Sequence, residues 1–300
     1  MEPLTRYHDV QGISPGDDGA LEIDYKSPPE DTFRTVAESI ITSSGNVDLL
    51  LLCSYGQWKK LHGWVPNFYH FSHRSGHLFR KFFDASGGCK PLFRLASVPD
   101  GPRTRRTLQV LGTRVDVVTE THRAMRKPLD WGAAAASSGF WQPKFDAWMK
   151  SIAEFIFPTQ TEENYPSGGT LSEAVDWVLV AGMASGYGNM RRAVHVEAGD
   201  IPHWPLLELA CREPGLSLTA EEPSFQDFLI RVGHMAVFKT DDGYLGVGDE
   251  DVFEGDAVVV LDGLNIPMVL RPLAAKPGVW HIVGACFVKG LMDGEGVQGK

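Results

Sequence analysis

The sequence has few cysteines and no long run of apolar residues. Four cysteines lie far apart in 300 residues, at Cys53, Cys89, Cys211 and Cys286. This excludes a small disulfide-stapled fold and favours reduced thiols in an intracellular, cytoplasmic protein. Apolar runs such as Leu49–Cys53 are far shorter than the ~20 residues of a membrane span. The first ten residues lack the apolar segment of a signal peptide, so we expect neither secretion nor a membrane span.

Positive charge is scarce in the second half of the chain. Residues 151–300 hold 9 Lys and Arg against 22 Asp and Glu, whereas residues 1–150 hold 19 against 16. The acidic half would repel phosphates, so we expect no nucleic-acid partner. The densest basic cluster, Arg103, Arg105 and Arg106, follows a Pro-Asp-Gly-Pro stretch and is interpreted as a solvated loop.

The usual motifs of metal and hydrolytic sites are also missing. The chain has no Cys-x-x-Cys, His-Glu-x-x-His or Gly-x-Ser-x-Gly, so no cofactor and no metal is predicted. His70, His73 and His77 have helical spacing, which would suit zinc or acid–base chemistry. Gly76 weakens that helix, and surface histidines among aromatic residues are the favoured interpretation.

Residue periodicity predicts helices first and short strands afterwards. Apolar residues recur at helical spacing within 33–41, 145–156 and 171–179, while β-branched residues around Gly112 indicate two short strands or a bent hairpin at 107–119. After residue 235, short apolar runs alternate with Asp-Gly, Glu-Gly and Pro-Gly turns. The expected fold class is α+β. Residues 1–235 would form a mostly helical body, and residues 236–300 a small antiparallel β-barrel-like module packed on it.

The last 64 residues resemble a known family. The order and spacing of five blocks resemble the C-terminal region of fungal heterokaryon-incompatibility (HET-domain) proteins; they are residues 238–248, 255–261, 267–272, 283–290 and 292–295. Two sequence motifs of the HET domain itself are absent from this sequence: its tyrosine–serine–tryptophan–glycine opening and its later asparagine-glutamine-x-aspartate…glutamate-arginine block. The resemblance therefore implies a HET-like fragment or truncated paralogue that acts as an interaction or regulatory module. It does not carry over a death-signalling activity.

For several residues of these blocks, a structural role is the favoured interpretation. The string Gly243, Tyr244, Gly246 and Gly248 could cradle a phosphate, but three acids follow it and no helix does, so a glycine-shaped hairpin is predicted. Asp256 at a strand start and Arg271 at a strand end are predicted to pair and brace the module. Glu295 is predicted to dock the C-terminal tail.

An enzymatic alternative stays open. A truncated family member could serve a fungal secondary-metabolite pathway as a cyclase or isomerase, a chemistry that needs positioning and one or two acid–base groups. The weak catalytic candidates are Tyr69, His70, His73 and Asp84. An aromatic pocket for a hydrophobic intermediate would be lined by Trp58, Trp64, Phe68 and Phe71, although core packing is favoured for these rings. The expected partner is thus a protein or a hydrophobic small molecule.

Overall fold

The computed structural model describes residues 27–55, 63–68, 82–100, 103–123, 138–186, 189–193, 204, 206–211 and 235–298. Its helices are α1 (Pro29–Ser44), α2 (Ser138–Ile156), α3 (Leu171–Val178) and the short α4 (Leu206–Ala210), with a 3₁₀ helix at Asp48–Leu52. Its strands are β1 (Phe93–Asp100), β2 (Arg103–Val110), β3 (Gly112–His122), β4 (Met183–Gly186), β5 (Asn189–Arg192), β6 (Ala236–Thr240), β7 (Leu245–Gly248), β8 (Ala257–Leu261), β9 (Met268–Pro272), β10 (Trp280–Ala285) and β11 (Phe287–Val288).

Local sequence signals explain where the first helix begins and ends. Pro29 occupies the first helical position, where its missing N–H costs nothing, and two acids follow in the first turn. Gly45 ends α1 in the left-handed conformation, and its N–H donates to the carbonyl of Ile41 at 3.1 Å. The apolar face formed by Phe33, Val36, Ala37 and Ile41 is buried.

A capping box starts α3. The Thr170 hydroxyl accepts a hydrogen bond from the N–H of Glu173, and the Glu173 carboxylate accepts one from the N–H of Thr170. Two N-terminal donors of the helix are thereby satisfied. Within the described residues, no helix combines the length and the hydropathy that a membrane span requires.

The main sheet has seven antiparallel strands in the order β10-β9-β8-β3-β6-β7-β11. Its central strand, β3, comes from the middle of the chain. Residues 112–117 of β3 pair with β8, and residues 118–122 pair with β6. The two strands near Gly112, β2 and β3, have different partners, because β2 pairs with β1 in a separate two-stranded ribbon.

Both faces of the sheet are buried at β7 and β8. All five residues of β8 are buried, and alternate side chains enter two different clusters: Ala257 and Val259 pack with the helices, whereas Val258 packs with Val118, Phe238 and other sheet residues. This explains why the strands read as continuous apolar runs instead of alternating patterns.

The predicted fold class is wrong in two respects. Among the described residues, only three helices have eight or more residues, α1 to α3, and the part before residue 236 contributes five strands, so this part is not a mostly helical body. The module is also not a closed barrel among the described strands. Its edge strands, β10 and β11, follow one another in the chain with only Cys286 between them, and no ladder joins them. Helical periodicity is a local signal, whereas strand partners are chosen by distant residues.

The expectation of a solvated arginine loop is wrong as well. Arg106 lies in β2, and its guanidinium donates to both carboxylate oxygens of Glu38, at 2.9 and 2.8 Å. This bidentate pair ties the β1–β2 ribbon to α1. The division at residue 235 stays a prediction.

Candidate functional site

Asp256 and Arg271 are brought together at the start of β8 and the end of β9. The Arg271 Nε donates to Asp256 Oδ1 at 2.7 Å, and Nη2 donates to Oδ2 at 2.8 Å and to the carbonyl of Asp251 at 2.6 Å. Asp256 Oδ2 also accepts from the N–H of Phe253 at 2.8 Å. Asp256 is only 1% exposed, so its charge depends on these donors. The hydrogen bond to Asp256 is the main reason why the pKa of Arg271 is raised.

Two aromatic rings contact the same guanidinium. The Arg271 Cζ lies 4.3 Å from the ring centroid of Tyr55 and 4.9 Å from that of Phe253. His281 stands opposite Arg271 in the β9–β10 register, and its ring meets that of Tyr55 edge to face. We call these four residues, Tyr55, Phe253, Arg271 and His281, the Arg271 patch.

The aromatic rings of the Arg271 patch remain accessible. Tyr55 and Phe253 are both more than a third exposed, although they are large and apolar, and the neighbouring Val279 is exposed to a similar extent. Since Asp256 already neutralises Arg271, the patch is poorly suited to bind an anion. Exposed aromatic rings around a fixed arginine have the composition that is typical of protein–protein interface centres.

A comparison with known protein families concerns the same part of the chain. Residues 218–299 match the family described as the Het-6 beta-barrel domain. A 59-residue segment is 41% identical to heterokaryon incompatibility protein 6, OR allele, of Neurospora crassa. The C-terminal region is related to that of heterokaryon-incompatibility proteins. The resemblance expected from the sequence blocks is thus confirmed for this region.

The match covers a small part of both proteins. The aligned segment is 19% of this chain and 9% of the Neurospora protein, so the activity of that whole protein is not part of the likeness. No solved structure matches the chain.

The glycine string of this HET-type region lies in the β6–β7 hairpin. Gly243 has a φ of +85° in the turn, where a left-handed backbone favours glycine. A Cβ added to Gly246 would lie 2.5 Å from the ring of Phe238 and 2.8 Å from the carbonyl oxygen of Phe287, so this position is closely packed. A Cβ added to Gly248 would lie 3.1 Å from the side chain of Val252.

Tyr165 fastens this hairpin to the segment after β11. Its hydroxyl accepts from the N–H of Leu245 at 2.9 Å and lies 3.0 Å from the carbonyl of Lys289, to which it donates. Burial raises the pKa of Tyr165, and its ring meets that of Tyr244 edge to face. No sequence pattern singled out Tyr165, because it stands in a loop 80 residues before its partner Leu245.

The C-terminal tail after β11 contacts Arg192 of β5. Arg192 forms a bidentate ion pair with Asp293, and its guanidinium carbon lies 5.0 Å from the ring centroid of Phe83. The Glu295 carboxylate accepts from the N–H of Asp293 at 2.6 Å. The N–H of Asp84 adds a contact to the carbonyl of Met292 at 2.9 Å.

The residues of the enzymatic alternative do not converge in the described part of the chain. Trp64 and Phe68 are 9% and 5% exposed and pack in the main core, where Phe68 meets Phe33 edge to face. Asp84 is exposed, and its carboxylate accepts from the N–H of Gly88 within a turn. The other five candidates lie outside the described residues: Trp58, Tyr69, His70, Phe71 and His73. Among the described residues, no group of three His, Cys, Asp or Glu side chains could hold a metal ion.

A half-buried histidine, His122, lies at the end of β3. Its Nε2 lies 2.9 Å from the Ser151 hydroxyl, and its ring packs edge to face on Trp148. Burial lowers its pKa, and this effect outweighs a backbone hydrogen bond at Arg123 that raises it. The contacts of His122 therefore connect the central strand, β3, to α2.

We expect His122 to make the protein less stable in acid. With the lower pKa in the folded state, the unfolded chain binds more protons, so the free energy of unfolding falls as the pH drops below about 6.5, the ordinary pKa of histidine. Urea unfolding at pH 7.5 and pH 5 measures this loss for the wild type and for His122→Gln, whose amide can still contact Ser151. The variant should lose less stability. Equal losses in both proteins would refute the assignment to His122.

Proposed function

We propose that the chain is an interaction module related to fungal heterokaryon incompatibility and that the Arg271 patch is its contact surface. The observation that carries this proposal is the exposure of Tyr55 and Phe253 around a guanidinium that Asp256 holds in place. A preformed, rigid arginine with two aromatic rings loses little conformational entropy when a partner covers it.

The location of the patch supports the same proposal. Phe253, Arg271 and His281 belong to the HET-type region, within residues 218–299. Tyr55 comes from the N-terminal part, and its N–H donates to the carbonyl of Val283 in β10 at 2.9 Å. The surface is therefore assembled by the HET-type region together with the segment that packs against it. The cyclase or isomerase alternative stays a prediction, since no contact among the described residues favours it.

Expression in heterokaryon-forming Neurospora crassa tests the proposal. We expect the wild-type chain to change the growth rate of the heterokaryon and Phe253→Ser to abolish that change at an equal protein level. Glu154→Ser, at an exposed position of α2, serves as the control and should behave like the wild type. If the wild type has no effect, or if Phe253→Ser acts like the wild type, the proposed role of the patch is wrong.

A further inference from the structure

The β1–β2 ribbon has one face on the core and one face outside. Phe93 and Leu95 of β1 stand opposite Val110 and Leu108 of β2, and all four pack against the main core. Since side chains alternate along a strand, the intervening residue pairs form the other face of the ribbon.

The outer face of the ribbon is both apolar and exposed. The ladder continues past β1 and β2 to Leu92 and Leu111, where the Leu111 N–H donates to the Leu92 carbonyl at 3.0 Å. Both leucines are more than half exposed, and Val98 further along the same face is more than a third exposed. These three residues, with the exposed Arg94 and Gln109 between them, define what we call the ribbon face.

The surroundings of the ribbon face are basic. Residues 90–114 contain six Lys and Arg and a single acid, Asp100. Arg103 and Arg105 occupy register positions opposite Asp100 and Val98. An exposed apolar surface inside a basic field fits a partner that offers apolar side chains and negative charge.

The chain itself carries such a surface. Residues 249–254 beside the Arg271 patch contain no Lys or Arg, and this segment presents the exposed acids Glu250 and Glu254, the half-buried Asp251 and the exposed ring of Phe253, whereas Asp249 is buried. Of the seven large exposed hydrophobic residues in the described part of the chain, Leu92, Val98 and Leu111 lie on the ribbon face and Tyr55 and Phe253 belong to the patch, while Val279 and Trp280 precede His281 in the chain.

We propose that the ribbon face of one copy binds the Arg271 patch and its acidic segment on a second copy. If each copy offers both surfaces to the other, the contacts are reciprocal and close into a two-fold dimer. This inference rests on the proposed function, because it names the occupant of the patch. Nucleic acid is the less favoured occupant of the ribbon face, since the chain carries a net charge of −10.

Sedimentation velocity of the full chain with charge-reversed variants tests the proposal. We expect concentration-dependent dimers that weaken between 50 and 500 mM salt, as charge complementarity requires. Arg94→Glu on the ribbon face, or Glu254→Arg at the patch, should each weaken dimerisation by about tenfold or more. Glu154→Arg, an exposed reversal on α2, should leave it unchanged.

Mixing the two reversed variants gives the decisive result. In a mixed dimer, each ribbon face meets a patch of opposite charge, so an equimolar mixture of Arg94→Glu and Glu254→Arg should dimerise about as tightly as the wild type. A monomeric wild type, or a mixture that stays monomeric, would overturn the inference. So would tight binding of a labelled DNA duplex that Arg94→Glu abolishes.

The two proposals fail in different ways. A monomeric wild type whose effect on heterokaryon growth is still lost in Phe253→Ser refutes self-association and leaves the patch with another protein partner. A dimer that responds to the charge reversals, together with an unchanged growth effect in Phe253→Ser, supports self-association and refutes the incompatibility-related role of the patch.

Discussion

Replacing Arg271 with leucine is expected to lower the free energy of unfolding by about 3–5 kcal/mol. The substitution removes both side-chain donors to Asp256, which is 1% exposed, and leaves a buried carboxylate whose remaining described donor is the N–H of Phe253. Denaturant unfolding at neutral pH measures the loss. The contacts of Arg271 with Tyr55 and Phe253 disappear as well, so the patch should become disordered together with its brace.

A second variant separates the buried charge from the loss of packing. Replacing both Asp256 and Arg271 with leucine removes the uncompensated carboxylate, and buried ion pairs replaced by apolar residues are often close to neutral. The double variant should therefore be more stable than Arg271→Leu alone. Lys150→Leu, at an exposed position of α2, is the matched control and should change stability by less than about 0.5 kcal/mol. An Arg271→Leu protein as stable as this control would contradict the brace.

Gly246→Ala is expected to cost about 3 kcal/mol, the upper end of the usual range for overpacking. The added methyl group would lie 2.5 Å from the Phe238 ring and 2.8 Å from the Phe287 carbonyl oxygen. A ring can rotate away, but the backbone of β11 is fixed by its pairing with β7. Thermal unfolding at a fixed scan rate checks the loss.

Two companion variants of Gly246→Ala make the test specific. Gly278→Ala has only the strain of a φ of +79°, with no atom within 4 Å of the new Cβ, and should cost about 1–2 kcal/mol. Combining Gly246→Ala with Phe238→Leu should recover part of the loss caused by the ring contact. If Gly246→Ala proves as stable as the wild type, the close packing of the hairpin is refuted.

The resemblance of the last sequence blocks to heterokaryon-incompatibility proteins was predictable because it depends on the spacing of residues that are close in sequence. Turn glycines such as Gly243, Gly255 and Gly263 have positive φ angles, and the strands between them are short apolar runs. Turn chemistry and strand length are local properties, so a sequence can encode them without reference to distant residues. The Asp256–Arg271 contact was predictable for the same reason, because only 15 residues separate the two.

The candidate site was less predictable. Tyr55 was not singled out by any motif, and Phe253 follows a run of acids that reads as a solvated turn. The two rings share Arg271 although nearly 200 residues separate them in the chain. The only available signal was indirect: a large aromatic residue at an acidic turn is unusual on a solvated surface.

The sequence by itself determined α1 between Pro29 and Gly45, the turns and strands after residue 235, and the likeness of that region to heterokaryon-incompatibility proteins. The tertiary structure alone decided that β3 lies at the centre of the sheet, that Arg106 joins a ribbon to α1, and that the Arg271 patch exists. The physical reason is the range of the interactions. Caps and turns are satisfied within a few residues, whereas strand pairing and ring contacts select partners from the whole chain once the core has collapsed.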